Sequence, residues 1–482
     1  MSDPIPVHGA GVQDDTDIQR PLEDLKAPDY VVRLLCGAKA IEMHNFVQMA
    51  FCDYVFQIPL NYFERIQRIA QQVRDKHLIP RGIDPARASV ENVLAMQETA
   101  RIMWDESIRP KPEKLRVFFL ATDTGGCGFY RCVQPARMLS AYTDTIIADA
   151  HLWAGSGFFM DYDVIVASRV IRDELLQVLL PVQAQGPLLV FEVDDNLSCI
   201  PDHSPARGLW NEETVRGWDL VRRSCDAAIV STEELKTALE IPDKTYVCQN
   251  AIAPALWPMK LPERPTSGKV RVVWWGSDTH EEDLREIVPA VKHLCARRKD
   301  IQFVFCGWIP TAFGEARYER GKQGGRLCPR PEWEPYMEAY PGVYIQRFPS
   351  AVQSLRGDIA MAPLVDNPFN RCKSAIKVYE AWASGIPIVT SPVGPYLKTK
   401  AVLHAKTTHE WCDTIVALAD SKQKRKEMAE AGLRELRASS IDSAVATQYE
   451  RTLLTIARGK VSRPECNAMI EKRLAEMGRP NG

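Results

Sequence analysis

The chain lacks any long hydrophobic run. Nowhere do the ~18 consecutive apolar residues of a membrane-spanning helix occur, so no membrane span is expected. It also lacks net charge. Its 60 Lys and Arg against 62 Asp and Glu leave −2, which excludes a global electrostatic pull towards nucleic acid but not a local basic face. Cys-x-x-Cys pairs are missing. The 13 cysteines, an odd number, are scattered through the chain, which points to reduced thiols in a cytoplasm rather than a disulfide framework. Several, such as Cys306 in FVFCG, sit in apolar strand patterns as small core residues. The first residues, MSDPIPVHGAGVQDDTDIQR, are polar and acidic, unlike a secretory signal. Histidines 44, 77, 151, 293 and 404 show no metal-ligand spacing. His151 follows a strand-like run, as a cleft residue or a plain loop residue.

What is present is an ordinary globular composition, 45% apolar and 25% charged, over 482 residues. That length predicts two or three domains. Residues 1–28 read as a disordered tail and 29–112 as a helical module with apolar residues at three- and four-residue spacing. From Lys114 the character changes to alternating strands and helices, the pattern of a doubly wound parallel sheet. Strand-like runs are KLRVFFLATD, TIIAD, DVIVAS, PLLVFEV, AAIVS and TYVCQ. A proline-rich stretch over 254–269 reads as a linker. The alternation then restarts at VRVVWWGSDTH and continues through IQFVFCG, VYIQRF and DIAMAPL, with 310–335 irregular and basic. The expected fold is α/β: two Rossmann-like domains, 113–258 and 259–435, facing a central cleft, with C-terminal helices over 436–482 returning over them.

Four stretches carry candidate chemistry. GGCGFYR follows the first strand of the first half. Gly126 and Gly128 allow close backbone approach, and Arg131 adds charge for an anion, or the glycines serve only a tight turn. It is no dinucleotide fingerprint, because Arg131 stands where the third glycine belongs. FEVDDNL places Asp194 and Asp195 at the end of an apolar strand, to hold a metal or sugar hydroxyls, to act as base, or to cap a turn. No third ligand with metal spacing lies nearby, so no metal is expected. WWGSDTHEEDL ends a strand with Gly276 and Ser277, whose backbone can touch phosphate, and His280 follows. The acidic run after it also suits a capped helix start.

The fourth stretch, FNRCKSAIKVYEAWASGIPIV, carries the most. Asn370, Lys373 and Ser374 lead into a helix, with Ser374 as N-cap and Gly385 at its end. Lys377 and Glu380 share a face. A cation at a helix N-terminus opposes the macrodipole by ~0.3–1 kcal/mol, so Lys373 and Lys377 make sense where an anion docks.

The segment from WWGSDTH through EAWASGIPIVTSPVG resembles the GT-B glycosyltransferases of family 4, retaining nucleotide-sugar transferases. Glu380, Ala381, Ala383, Gly385, Pro387, Ile388 and Val389 match the E-A-x-A-x-G-x-P-[IV]-V core. GGCGFYRCVQPARML and FEVDDNL resemble a branch found in bacterial polysaccharide clusters and in bacteriophages. The resemblance covers residues 114 to about 455. It implies a nucleotide-diphosphate sugar as co-substrate, no separate cofactor, and a saccharide or a hydroxymethylated base in phage DNA as acceptor. It implies Glu380 on the donor ribose, Gly276 and Ser277 by the diphosphate, and the backbone around Lys373 and Ser374 by sugar and phosphate. The family's first glutamate, eight positions before Glu380, is Cys372 here, leaving Asp366 or Asn370 to meet the sugar. The family's Arg/Lys pair after the second half's first strand is also missing, and Lys373 and Lys377 supply that charge. A non-catalytic nucleotide-sugar-binding protein and a sugar-nucleotide epimerase are the alternatives on the same frame.

Overall fold

The computed structural model describes residues 113–478, except 124, 140–142, 150–161, 263–267, 319–324, 344 and 346. The expected tail and helical module, and His151, lie outside the described residues. Among the described residues no helix is long and apolar enough to cross a membrane.

Two six-stranded parallel sheets form the body. The first contains β1 (Arg116–Ala121), β2 (Asp144–Asp149), β3 (Val164–Ser168), β4 (Leu188–Val193), β5 (Ala227–Val230) and β6 (Thr245–Val247), in the order β2-β1-β3-β4-β5-β6. The second half begins with β7 (Val270–Trp275) and β8 (Ile301–Gly307). A hairpin, β9 (Gly314–Tyr318) with β10 (Gly325–Pro329), follows, then β11 (Met337–Pro341), β12 (Ile359–Ala362), β13 (Ile388–Thr390) and β14 (Leu403–His404). The second sheet runs β11-β8-β7-β12-β13-β14.

The near-continuous apolar runs follow from burial on both faces. Successive side chains of a strand point to opposite faces. Phe118 and Leu120 of β1 enter the core shared with the Asp173–Gln183 and Glu212–Ser224 helices, while Val117 and Phe119 enter the core on the other face. That second core is closed by the C-terminal helices: Val445, Tyr449, Leu453 and Ile470 pack there. In β7, Val272 and Trp274 face one core, Val273 and Trp275 the other.

Two local expectations are corrected. None of the described residues of VYIQRF lies in a strand. Its place at the sheet edge is taken by Met337–Pro341, paired with β8, and Phe348 opens the Phe348–Ser354 helix with Pro349 in its first turn. Within the irregular 310–335 region lies the β9–β10 hairpin. The helix after β1 starts inside the glycine loop, at Gly126, and passes through a π-turn over Phe129–Val133 before Gln134–Leu139. Such turns occur often at functional sites.

In each sheet the chain reverses its direction of winding at one point. In the first this lies at β1, flanked by β2 and β3; in the second, between β7 and β12. Open α/β sheets bind ligands outside the strand C-termini at such points. The glycine loop follows β1, Gly276 follows β7, and the segment leading to Lys373 follows β12.

Candidate functional site

The stretch 370–385 sits where the second sheet's switch point faces the first half. The helix spans Ile376–Ala383, with Ala375 as N-cap, and Gly385 (φ 66°) ends it. Ser374 is therefore not the cap: its Oγ instead accepts a bond from the Asn250 side-chain amide at 2.8 Å.

Glu380 is the centre of the site. It is 6% exposed. Its Oε1 accepts from the Tyr130 hydroxyl at 2.9 Å, and its Oε2 from the Trp275 indole at 2.8 Å. Burial raises its carboxyl above the ordinary value, opposed first by Lys377. Each carboxylate oxygen has two acceptor positions, so both retain capacity for a ligand hydroxyl.

Lys377 lies one turn earlier. Its Nζ donates to the Trp275 carbonyl and stands 4.8 Å from the centre of the Trp274 ring. Burial lowers its pKa to about 8; Glu380 is the main pull upward, and Lys373 adds to the fall. Gly276 makes room for it. A Cβ there would lie 2.8 Å from the Trp274 ring and 3.2 Å from Lys377 Nζ. The Gly276 amide is not offered to phosphate, since it donates to the Cys306 carbonyl at 3.0 Å. Ser277 is exposed, its hydroxyl 2.7 Å from that of Thr279. Lys373 is partly exposed, 4.8 Å from the Phe369 ring centre.

Asn370 departs from its expected role as a donor contact. It is 5% exposed and donates to Asp283 Oδ1 at 2.9 Å and the Val365 carbonyl at 2.9 Å. Asp366 is tied to Arg371 at 2.6 Å on the surface. Cys372 has a packing role. It is 5% exposed, belongs to the first half's core, and receives a contact from the Asn196 amide at 3.8 Å. Its carbonyl accepts from Thr232 at 2.8 Å. A thiol suits this place because an ionised carboxylate would be stranded in apolar surroundings.

On the first half, Arg131 is not a cleft cation. It is completely buried, with Nε 2.5 Å from Glu192 and Nη1 bonded to the Cys248 carbonyl at 2.7 Å and the Asn250 Oδ1 at 2.8 Å. Burial pushes the Glu192 carboxyl up, and Arg131 is the main pull downward. Since Asn250 also holds Ser374, one chain of bonds runs from Glu192 through Arg131 and Asn250 to the head of the 376–383 helix.

The glycine loop does not present a vacant anion cradle either. The Gly125 and Gly128 amides both donate to Asp123 Oδ1, at 2.8 and 3.1 Å. At Gly128 a Cβ would meet the Asp123 carbonyl at 1.9 Å, so only glycine fits the turn. Gly126 is exposed.

Asp194 and Asp195 lie at the end of β4, as their position after an apolar strand implied. Arg169, at φ 51°, bonds both, at 2.6 and 2.5 Å. Burial pushes the Asp194 carboxyl up, but Arg169 and Arg131 take it below its ordinary value. The sequence shows no third metal ligand, yet folding brings Cys127 from the glycine loop to them, with ligand atoms within 4.8 Å of one another. The Arg169 guanidinium already supplies the positive charge at these carboxylates.

Sequence reasoning missed Tyr130, Trp275, Asn250 and Asp283. Tyr130 and Trp275 were visible only as aromatic residues flanking the glycine loop and ending β7. Their bonds to Glu380 span 250 and 105 residues.

No protein-family model matches the chain, and no curated protein matches it. Solved structures do. Sucrose-phosphate synthase from Thermosynechococcus elongatus superposes with a TM-score of 0.52 at 11% identity, covering 71% of this chain and 99% of that one. HepE of Anabaena in complex with UDP-glucose gives 0.50 at 14% identity, covering 71% and 100%. With two parallel sheets meeting at their strand ends, these likenesses define the architecture: the fold is GT-B.

Proposed function

We propose that the protein is a glycosyltransferase that moves a sugar from a nucleotide-diphosphate sugar to an acceptor hydroxyl. The observation that carries this reading is the grouping of Lys377, Glu380 and Lys373 at the switch point of the second sheet. Glu380 is a buried carboxylate with spare acceptor capacity, suited to ribose hydroxyls. Lys377 and Lys373 are cations suited to a diphosphate. The neighbour HepE was solved with UDP-glucose, a ligand of this class.

Departure of the sugar leaves negative charge on the diphosphate. Fixed cations that meet that charge in a water-poor site supply the largest stabilisation such sites usually offer. Lys373 and Lys377 take this role, so the reaction proceeds without a metal ion. Retention of configuration accompanies it. The acceptor, a saccharide or a hydroxymethylated base in DNA, approaches from the first half, past Asp194, Asp195 and Arg169. Salt-dependent retention on DNA identifies the second kind of acceptor, because phosphate contacts give a steep salt slope.

A thermal-shift screen of nucleotide sugars tests the reading. At a hundredfold excess over Kd, a bound donor stabilises the folded state by about 2.7 kcal/mol, and only the correct nucleotide does so. No stabilisation by any nucleotide sugar contradicts the reading.

A further inference from the structure

Asp283 lies beneath the strand ends of the second half, 4% exposed. Its Oδ1 accepts from the Val365 amide at 2.8 Å and from the Asn370 side chain at 2.9 Å. Its Oδ2 is 2.7 Å from His280 Nδ1. Burial pushes this carboxyl up, but the bonds from His280 and Val365 hold it below its ordinary value. An ionised carboxylate has no proton to give. Nδ1 is therefore the protonated nitrogen of His280, and Nε2 carries the lone pair.

The surroundings keep that ring neutral. Burial, then Lys373, lower the His280 pKa to about 4 against the pull of Asp283, with Lys377 adding to the fall. The imidazole stands edge-on to Trp274, with ring centres 6.0 Å apart. The same indole carries the Lys377 ammonium at 4.8 Å. Among the described residues no group hydrogen-bonds Nε2. The turn containing His280 also meets the Pro205–Leu209 turn of the first half, so the ring stands where the halves face each other.

A neutral acceptor beside two ammonium groups divides the ligand by chemistry. Phosphate oxygens accept hydrogen bonds and suit the lysines. They do not suit a lone pair. A sugar hydroxyl, which can donate, does. A nucleotide sugar carries such hydroxyls directly beside its diphosphate.

We infer that His280 touches the substrate, its Nε2 accepting a hydrogen bond from a hydroxyl of the sugar attached to the diphosphate. This rests on the donor reading above. Asp283 is its positioning residue, and Asn370 holds Asp283 in turn.

Calorimetric affinities of the full chain for UDP and UDP-glucose, GDP and GDP-mannose, and ADP and ADP-glucose test the inference. The variants are His280→Asn, whose amide can still donate to Asp283 but ends short of Nε2, and His280→Gln, whose amide oxygen reaches the Nε2 position. For the pair that the wild type binds, His280→Asn loses about tenfold in affinity for the nucleotide sugar, the scale of one hydrogen bond. Its affinity for the nucleoside diphosphate stays within about twofold, and His280→Gln recovers most of the loss. Equal losses on both ligands of the pair, or no loss on the nucleotide sugar, overturn the inference. A wild type that binds none of the six ligands overturns instead the donor reading beneath it.

Discussion

The Tyr130 hydroxyl donates to Glu380 at 2.9 Å, joining the glycine loop of the first half to the helix of the second. With Asn250–Ser374, Thr232–Cys372 and the Lys398–Glu234 ion pair at 2.6 Å, it holds the two sets of strand ends together. In the donor reading, Tyr130 takes one of the two acceptor positions on Glu380 Oε1 and leaves the other to a ribose hydroxyl, so its removal frees a second position for the ligand. Tyr130→Phe should therefore lower unfolding stability by about 1.5–3 kcal/mol, the worth of a bond to a charged group. It should also tighten nucleotide-sugar binding. Denaturant unfolding and calorimetry on the same variant check both signs. Unchanged stability with weakened binding makes Tyr130 a donor contact instead.

Lys377 gives two pH slopes of opposite sign. Its folded pKa, about 8, is below the ordinary value of a lysine. Between the two values the unfolded chain binds more protons, so stability of the free protein rises with pH across that window. Anion affinity falls over the same range as the ammonium is lost. Thermal melts and nucleotide affinities measured from about pH 7 to pH 10 should diverge in this way, and Lys377→Met should flatten both curves.

Removing Arg131 strands the buried Glu192 carboxylate. Breaking a buried pair in this way costs about 3–5 kcal/mol. Arg131→Met should show that loss in denaturant unfolding, and Arg131→Met with Glu192→Leu should recover much of it. A loss below about 1 kcal/mol in the single variant contradicts the structural role.

Cys372→Glu would restore the carboxylate that the resembling family carries at this place. Here it would lie against the first half's core. A buried carboxyl resists ionisation, so its folded pKa is raised and its stability cost grows as pH rises through the carboxylate range. Melts at about pH 5 and about pH 8 should show a larger deficit at the higher value.

The fold was legible because its signals are local. Runs such as VFFLA and LLVFEV are apolar on both faces, and the match around Glu380 to Val389 marks one helix–strand unit. The site was legible only in part. Arg131 and Asn370 looked like ligand contacts because both are polar residues in loops near strand ends. Their burial depends on Glu192, Asn250 and Asp283, which are distant in sequence. Ser374 looked like a cap because spacing alone cannot show that Asn250 claims its hydroxyl. VYIQRF and MEAYP compete for one sheet edge, and pairing with β8 decides between them.

The measurement closest to the central claim is nucleotide-sugar affinity in wild type, Glu380→Ala and Lys377→Ala, on protein shown by its melt to be folded. The account predicts one nucleotide sugar bound by the wild type and a loss of about a hundredfold or more in affinity or turnover in each variant, the scale of a removed charge-stabilising group. Wild-type affinity and turnover in both variants would contradict it.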